Sequence, residues 1–66
     1  MEKKFRVYAI KNGVIDTFRE VLAPSKEEAI NMAFTEEEYL ETGYPSIDVD
    51  IEVVLLGGHK NEIQYQ

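Results

Sequence analysis

The chain has no cysteine, so no disulfide can brace it and no thiolate metal site can form. No apolar run approaches the ~20 residues that a membrane helix needs. The opening Met-Glu-Lys-Lys-Phe-Arg-Val carries charge but no long apolar core, so no secretory leader is expected. These absences predict a soluble intracellular protein and are compatible with a reducing cytoplasm. Basic charge is also scarce beyond position 19. Residues 20–56 hold ten acidic side chains against Lys26 alone, while residues 1–19 hold Lys3, Lys4, Arg6, Lys11 and Arg19 against Glu2 and Asp16. Binding to phosphate backbones needs clustered Lys and Arg, so a net charge of −6 argues against nucleic acid and favours a basic protein partner. There are no internal repeats, low-complexity tracts or linkers. The 66 residues read as one domain, 1–66, near the lower limit for a self-sufficient core, where association with a partner adds stability.

What is present centres on Pro24–Gly43, the one stretch with a helical pattern. Ser25 and Glu28 form a capping box, Glu27 and Glu28 suit a helix N-terminus, and Ala29, Ile30, Ala33 and Phe34 recur as an apolar stripe. The stripe falters at Glu36-Glu37-Glu38 and resumes with Tyr39 and Leu40. Thr35 with Glu38 repeats the capping pattern, which leaves two readings: one helix over 26–42, or a kink at Thr35 that starts a second. Three consecutive glutamates suit a first turn better than a middle, which favours the bent form. Gly43 ends the helix in the left-handed region, and Tyr44-Pro45 blocks continuation.

Before the helix, Phe5–Ile10 and Val14–Ala23 are strand-like and flank Asn12-Gly13, a pair suited to a type I′ hairpin turn. Simple pairing sets Lys11 opposite Val14, Ile10 opposite Ile15 and Val7 opposite Phe18. Phe5, Val7, Ala9, Val14 and Phe18 then form the core face; Arg6, Tyr8, Ile10, Ile15, Thr17 and Arg19 form the other. Asp16 and Glu20 sit badly on the first face and Arg6 badly against Arg19, which predicts a bulge near Arg19–Val21. After the helix, Ile47–Leu56 alternates: Ile47, Val49, Ile51, Val53 and Leu55 inward, with Asp48, Asp50 and Glu52 outward and giving way to Val54 and Leu56. Gly57–Asn61 reads as a loop. Glu62–Gln66 alternates again, as a fourth strand or a tail that orders against a partner.

The fold class expected is α+β: a two-layer β-β-α-β(-β) arrangement, antiparallel, in the order 2-1-3(-4), with one bent helix on one face. The uncovered face then exposes Tyr8, Ile10, Ile15, Val54 and Leu56, an apolar patch of the kind that marks an interface. A homodimer through that face or by edge pairing is expected.

No chemistry stands out. Asp48, Asp50 and Glu52 form a comb with ~6.5–7 Å spacing that diverges instead of converging on a cation. His59 is a lone loop histidine, and Ser25 and Ser46 are explained as a helix cap and a turn residue. Gly57-Gly58 has no helix after it to cradle phosphate. No enzyme, cofactor or metal is expected.

Val21-Leu22-Ala23-Pro24-Ser25-Lys26-Glu27-Glu28-Ala29-Ile30 resembles the hairpin-into-helix start of small phage and plasmid proteins of the DpnD/PcfM-like type. The same stretch is similar to the helix start of HicB-type antitoxins, although the Leu-Pro-Gly loop that precedes it there is absent here. The resemblance implies a mobile-element origin and a role through binding. The leading expectation is therefore a viral or plasmid-encoded homo-oligomer that binds and inhibits a host protein, such as a defence or nucleic-acid-processing protein. Glu36, Glu37, Glu38, Asp48, Asp50 and Glu52 would fill its basic groove. The alternatives are a ligand-binding or sequestering module with a nucleotide-type site at an oligomer interface around Arg6, Tyr8, Lys11 and Arg19, an antitoxin-like partner protein, and nucleic-acid binding by the basic hairpin.

Overall fold

The computed structural model describes residues 2–57. The expected Gly57–Asn61 loop from Gly58 onward, with His59, and the fourth strand at Glu62–Gln66 lie outside the described residues. The elements are β1 (Lys3–Lys11), β2 (Val14–Ala23), α1 (Lys26–Ala33), α2 (Glu36–Thr42) and β3 (Val49–Gly57). The sheet order is β2-β1-β3, antiparallel throughout, with the helical layer on one face. This is the α+β arrangement expected. Among the described residues, no helix is long and apolar enough to cross a membrane.

Local chemistry explains the joints. Asn12 and Gly13 both take positive φ, 56° and 76°, as a type I′ turn requires. Ser25 Oγ accepts from the Glu28 amide and Thr35 Oγ1 from the Glu38 amide, each at 3.2 Å, so two helices start where the two capping patterns stand. Between them Phe34 leaves helical geometry at φ −128°, ψ 95°, while its amide still bonds to the Ile30 carbonyl. The kink is real. Gly43 closes α2 at φ 79° with its amide on the Tyr39 carbonyl, as an αL cap.

The core is Phe5, Val7, Ala9, Ala23, Ala29, Ala33 and Phe34. Four of these are alanines, which lets α1 lie close on the strands. Val21, Ile30, Tyr44, Val49, Ile51 and Val53 pack around them. Tyr39 and Leu40 do not resume the apolar stripe: they are 52% and 73% exposed, and α2 buries no residue. The turn at Phe34 swings α2 off the sheet, so its apolar side chains lose the core.

The bulge falls earlier than expected. Ile10 pairs with Ile15 but Ala9 pairs with Thr17, which leaves Asp16 as the extra residue on β2. From there the pairs run Tyr8–Phe18, Val7–Arg19, Arg6–Glu20 and Phe5–Val21. Phe18 therefore leaves the expected core face for the open one, and Arg6 meets Glu20 instead of Arg19. Val14, at the hairpin tip, is 66% exposed. β3 begins two residues late because Ser46 makes a turn: its carbonyl accepts from the Val49 amide at 3.1 Å and its hydroxyl bonds Asp48. Ile47, expected in the core, is left fully exposed on that turn. Gly57 lies in β3, not in the loop, and Leu56 is an extra residue there, between Leu55 opposite Phe5 and Gly57 opposite Lys4.

Arg19, turned inward by the bulge, holds the kink. Its Nη1 donates to the Ala33 carbonyl at 2.7 Å, at the C-terminus of α1, and to Glu38 Oε1 at 2.6 Å. Its Nη2 donates to Glu38 Oε2 at 2.9 Å, completing a bidentate fork. The guanidinium lies 4.6 Å from the Phe34 ring centroid, and Phe34 packs on Tyr44 at 5.8 Å. Tyr44 Oη donates to Asp16 at 2.9 Å, which ties the bulge residue to the same cluster. Burial first, then that hydrogen bond, push the Tyr44 phenol above its ordinary pKa.

Two outcomes follow. Deleting Asp16 removes the unpaired residue but keeps Thr17 opposite Ala9, Phe18 opposite Tyr8 and Arg19 opposite Val7, so it costs only the Tyr44 bond and leaves the fork in place. The deletion, like Asp16→Ala, is expected to keep the cooperative thermal transition seen by circular dichroism, whereas Arg19→Glu, which sets a negative charge against Glu38 and the Ala33 carbonyl, is expected to abolish it. Glu38 is held below the ordinary carboxylate range by its bonds to Arg19. A depressed folded pKa adds stability above the unfolded value, about 4.3, and that stability disappears as pH falls through the folded value. Melting temperature should thus drop more steeply on acidification in the wild type than in Glu38→Gln, with the two curves meeting at low pH.

Candidate functional site

Side chains that pair across antiparallel strands share a face, so the register maps the uncovered face of the sheet directly. Read from β2 through β1 to β3, its rows are Ile15–Ile10–Asp50, Phe18–Tyr8–Glu52 and Glu20–Arg6–Val54, with Leu22 beside Lys4 at the far end. Phe18 is 50% exposed, Ile15 54%, Leu22 55% and Val54 40%. Tyr8 and Ile10 are half-buried by their neighbours. Of the five expected interface residues, Tyr8, Ile10, Ile15 and Val54 share this face, and Leu56 sits at the β3 bulge beside it. Arg6 was expected on this face too, whereas Phe18 and Glu20 were expected on the core face and reach the open one through the register shift at Asp16.

The centre of the face is held in place. Tyr8 and Phe18 pack edge-to-face-like, with ring centroids 5.9 Å apart and tilted by 52°. The Arg6 guanidinium lies 5.0 Å from the Phe18 centroid and donates to Tyr8 Oη at 3.2 Å. Its Nε donates to Glu20 Oε2 at 2.9 Å, and Lys4 Nζ stands 3.7 Å from Glu20 Oε1. Hydrogen bonding from Arg6, with Lys4 nearby, keeps the Glu20 carboxyl below its ordinary pKa. A tyrosine, a phenylalanine and an arginine locked together on a flat sheet are the residue types that carry binding energy at interfaces. Their fixed geometry also lowers the entropy lost on docking.

The six expected partner-binding carboxylates do not form one surface. Glu38 is engaged by Arg19, and Asp48 is bonded by Ser46 and lies 3.7 Å from Lys11 Nζ. Those contacts, Ser46 foremost, lower the Asp48 pKa. Glu36 and Glu37 are exposed in the first turn of α2, on the helix side. Asp50 and Glu52 stand on the open face, beside Ile10 and Tyr8. The alternative basic ligand site does not assemble either. Arg19 faces the helices while Arg6 and Tyr8 face away from them, and Lys11 is turned to Asp48. Of the hairpin's basic residues, Lys4, Arg6, Lys11 and Arg19 each meet a carboxylate, which blunts a phosphate-binding surface. Among the described residues, no group of three or more His, Asp or Glu side chains is placed to hold a metal ion. A shallow depression beside Glu27, Glu28, Ile30 and Asn31 on α1 brings no convergent set of polar groups together.

Comparison with protein-family models, with curated proteins and with solved structures finds no match to this chain.

Proposed function

We propose that this chain is a non-enzymatic interaction protein that works as a homo-oligomer through its open sheet face. The observation that carries the reading is the row of large apolar side chains, Ile15, Phe18, Leu22 and Val54, left 40–55% exposed around a pre-positioned Tyr8–Arg6 pair. Burying such a patch releases about 25 cal/mol for each Å² of apolar surface removed from water. In a 66-residue domain with little core, that gain is a large fraction of the total stability.

The exposed carboxylates Glu36 and Glu37 lie on the helix side, away from that face, and remain available to a basic protein while the sheet face is covered. With the net charge of −6, they support an acidic inhibitor that meets the basic surface of a host protein by charge steering. The DpnD/PcfM-like pattern around Ser25–Ile30 fits the same reading, that of a mobile-element protein acting by binding.

Sedimentation equilibrium at about 100 µM tests the self-association, because oligomer formation follows mass action. The expected result is a mass above the 7.6 kDa of one chain for the wild type, and 7.6 kDa for Phe18→Glu. An unchanged mass in that variant would remove the open face from the assembly.

A further inference from the structure

The charges of the open face are ordered along the strands. Lys4 and Arg6 stand at the end remote from the Asn12-Gly13 turn, with Glu20 between them and bonded to Arg6. Asp50 and Glu52 stand at the turn end and form no ion pair among the described residues. The basic end carries two positive charges against one negative, and the acidic end two negative. Between and around them the surface is aromatic or aliphatic. A face built this way is complementary to itself when turned end for end.

We propose that the occupant of this face is a second copy of the chain, related by a two-fold axis that lies between the two sheets and runs across the strands. The inference rests on the open-face reading above and adds to it a closed two-copy arrangement and its orientation. That axis stacks each row on its opposite. Ile15 faces the second copy's Leu22, Tyr8 faces its Arg6, and Glu52 faces its Val54. Lys4 comes over the Ile10–Asp50 row. Each basic end thus covers the other copy's acidic end, and the tyrosine–arginine pairs interleave as cation–π contacts.

The competing two-fold axis runs along the strands. It stacks β1 on β1 in the same row, setting Lys4 over Lys4 and Arg6 over Arg6. Like charges brought together where water is excluded oppose that arrangement strongly. The size also fits. Strands of nine or ten residues, three abreast, give a face ~30 Å by ~15 Å, so two copies bury on the order of 1,000 Å², the lower range of specific interfaces. The dimer should therefore be specific but dependent on concentration.

The test is a charge exchange between Lys4→Glu and Asp50→Lys, both at exposed positions. In the proposed orientation position 4 of one copy lies over Ile10 of the other, one strand away from its Asp50, so positions 4 and 50 are diagonal neighbours twice per dimer. Each variant alone sets like charges together in both contacts and is expected to sediment as a monomer at about 100 µM, where the wild type is a dimer. An equimolar mixture restores opposite charges in both contacts and is expected to recover the dimer, as is the double variant K4E/D50K. Recovery on mixing also shows that the single variants are folded.

Single variants that stay dimeric, or a mixture that stays monomeric, would overturn the orientation. If Phe18→Glu were monomeric in the same experiment, the open-face reading would survive that loss. A wild type that is monomeric, or a dimer that Phe18→Glu leaves intact, as association through a sheet edge would, overturns both.

Discussion

The fork between Arg19 and Glu38 is the contact on which the rest of this small structure turns. It joins the sheet, the end of α1 and the start of α2 through one guanidinium, which bonds the Ala33 carbonyl and both Glu38 oxygens. α2 buries no side chain of its own, so this polar link, with the Phe34–Tyr44 packing beside it, takes the part that an apolar stripe plays in an ordinary helix. Arg19 can reach the helices only because Asp16 is an extra residue in β2. One inserted residue therefore decides both how the helical layer is bent and which side chains the sheet shows to solvent.

That second effect makes the open face what it is. The shift that turns Arg19 inward turns Phe18 outward onto Tyr8, and carries Glu20 opposite Arg6. A polar tether on one side and an aromatic cluster on the other are two results of a single backbone irregularity. The cluster is rigid because its members hold one another. Arg6 bonds Tyr8 and Glu20 and lies over Phe18. Rigid aromatic and arginine side chains on an uncovered sheet need little reorganisation to dock. The basic hairpin is largely neutralised within the chain, as at Lys11–Asp48 and Arg6–Glu20, while Asp50 and Glu52 of the acidic comb form no ion pair among the described residues.

Much of this was legible in the residues, because it depends on neighbours in the chain. The Asn-Gly turn, the two capping patterns and the αL glycine each follow from interactions spanning four residues or fewer, and each formed where expected; the alternation of β3 holds from Val49 to Val53. Four of the five apolar residues assigned to the open face share it. The misses have a common origin. A strained pairing was recognised from the charges at Asp16, Glu20, Arg6 and Arg19, but the bulge was placed near Arg19–Val21. At Asp16 it relieves every conflict at once, since it removes the Arg6–Arg19 opposition and brings Glu20 to Arg6. Placing it so from sequence would have required trying each insertion point against the charges of both strands. Ile47 and Leu40 were assigned inward by periodicity, which counts spacing but not where a turn or a kink ends the element.

The sequence by itself thus determined the elements, their order, the joints between them and the one-sided cover of the sheet, because local hydrogen bonding and hydrophobic period set these within a few residues. Only the tertiary structure decided the register past Ile15, the union of Arg19 with Glu38 across 19 positions, and so the make-up of the exposed face. Those choices rest on contacts between segments far apart in the chain. There a shift of one residue exchanges the two faces of a strand without altering its composition or its period.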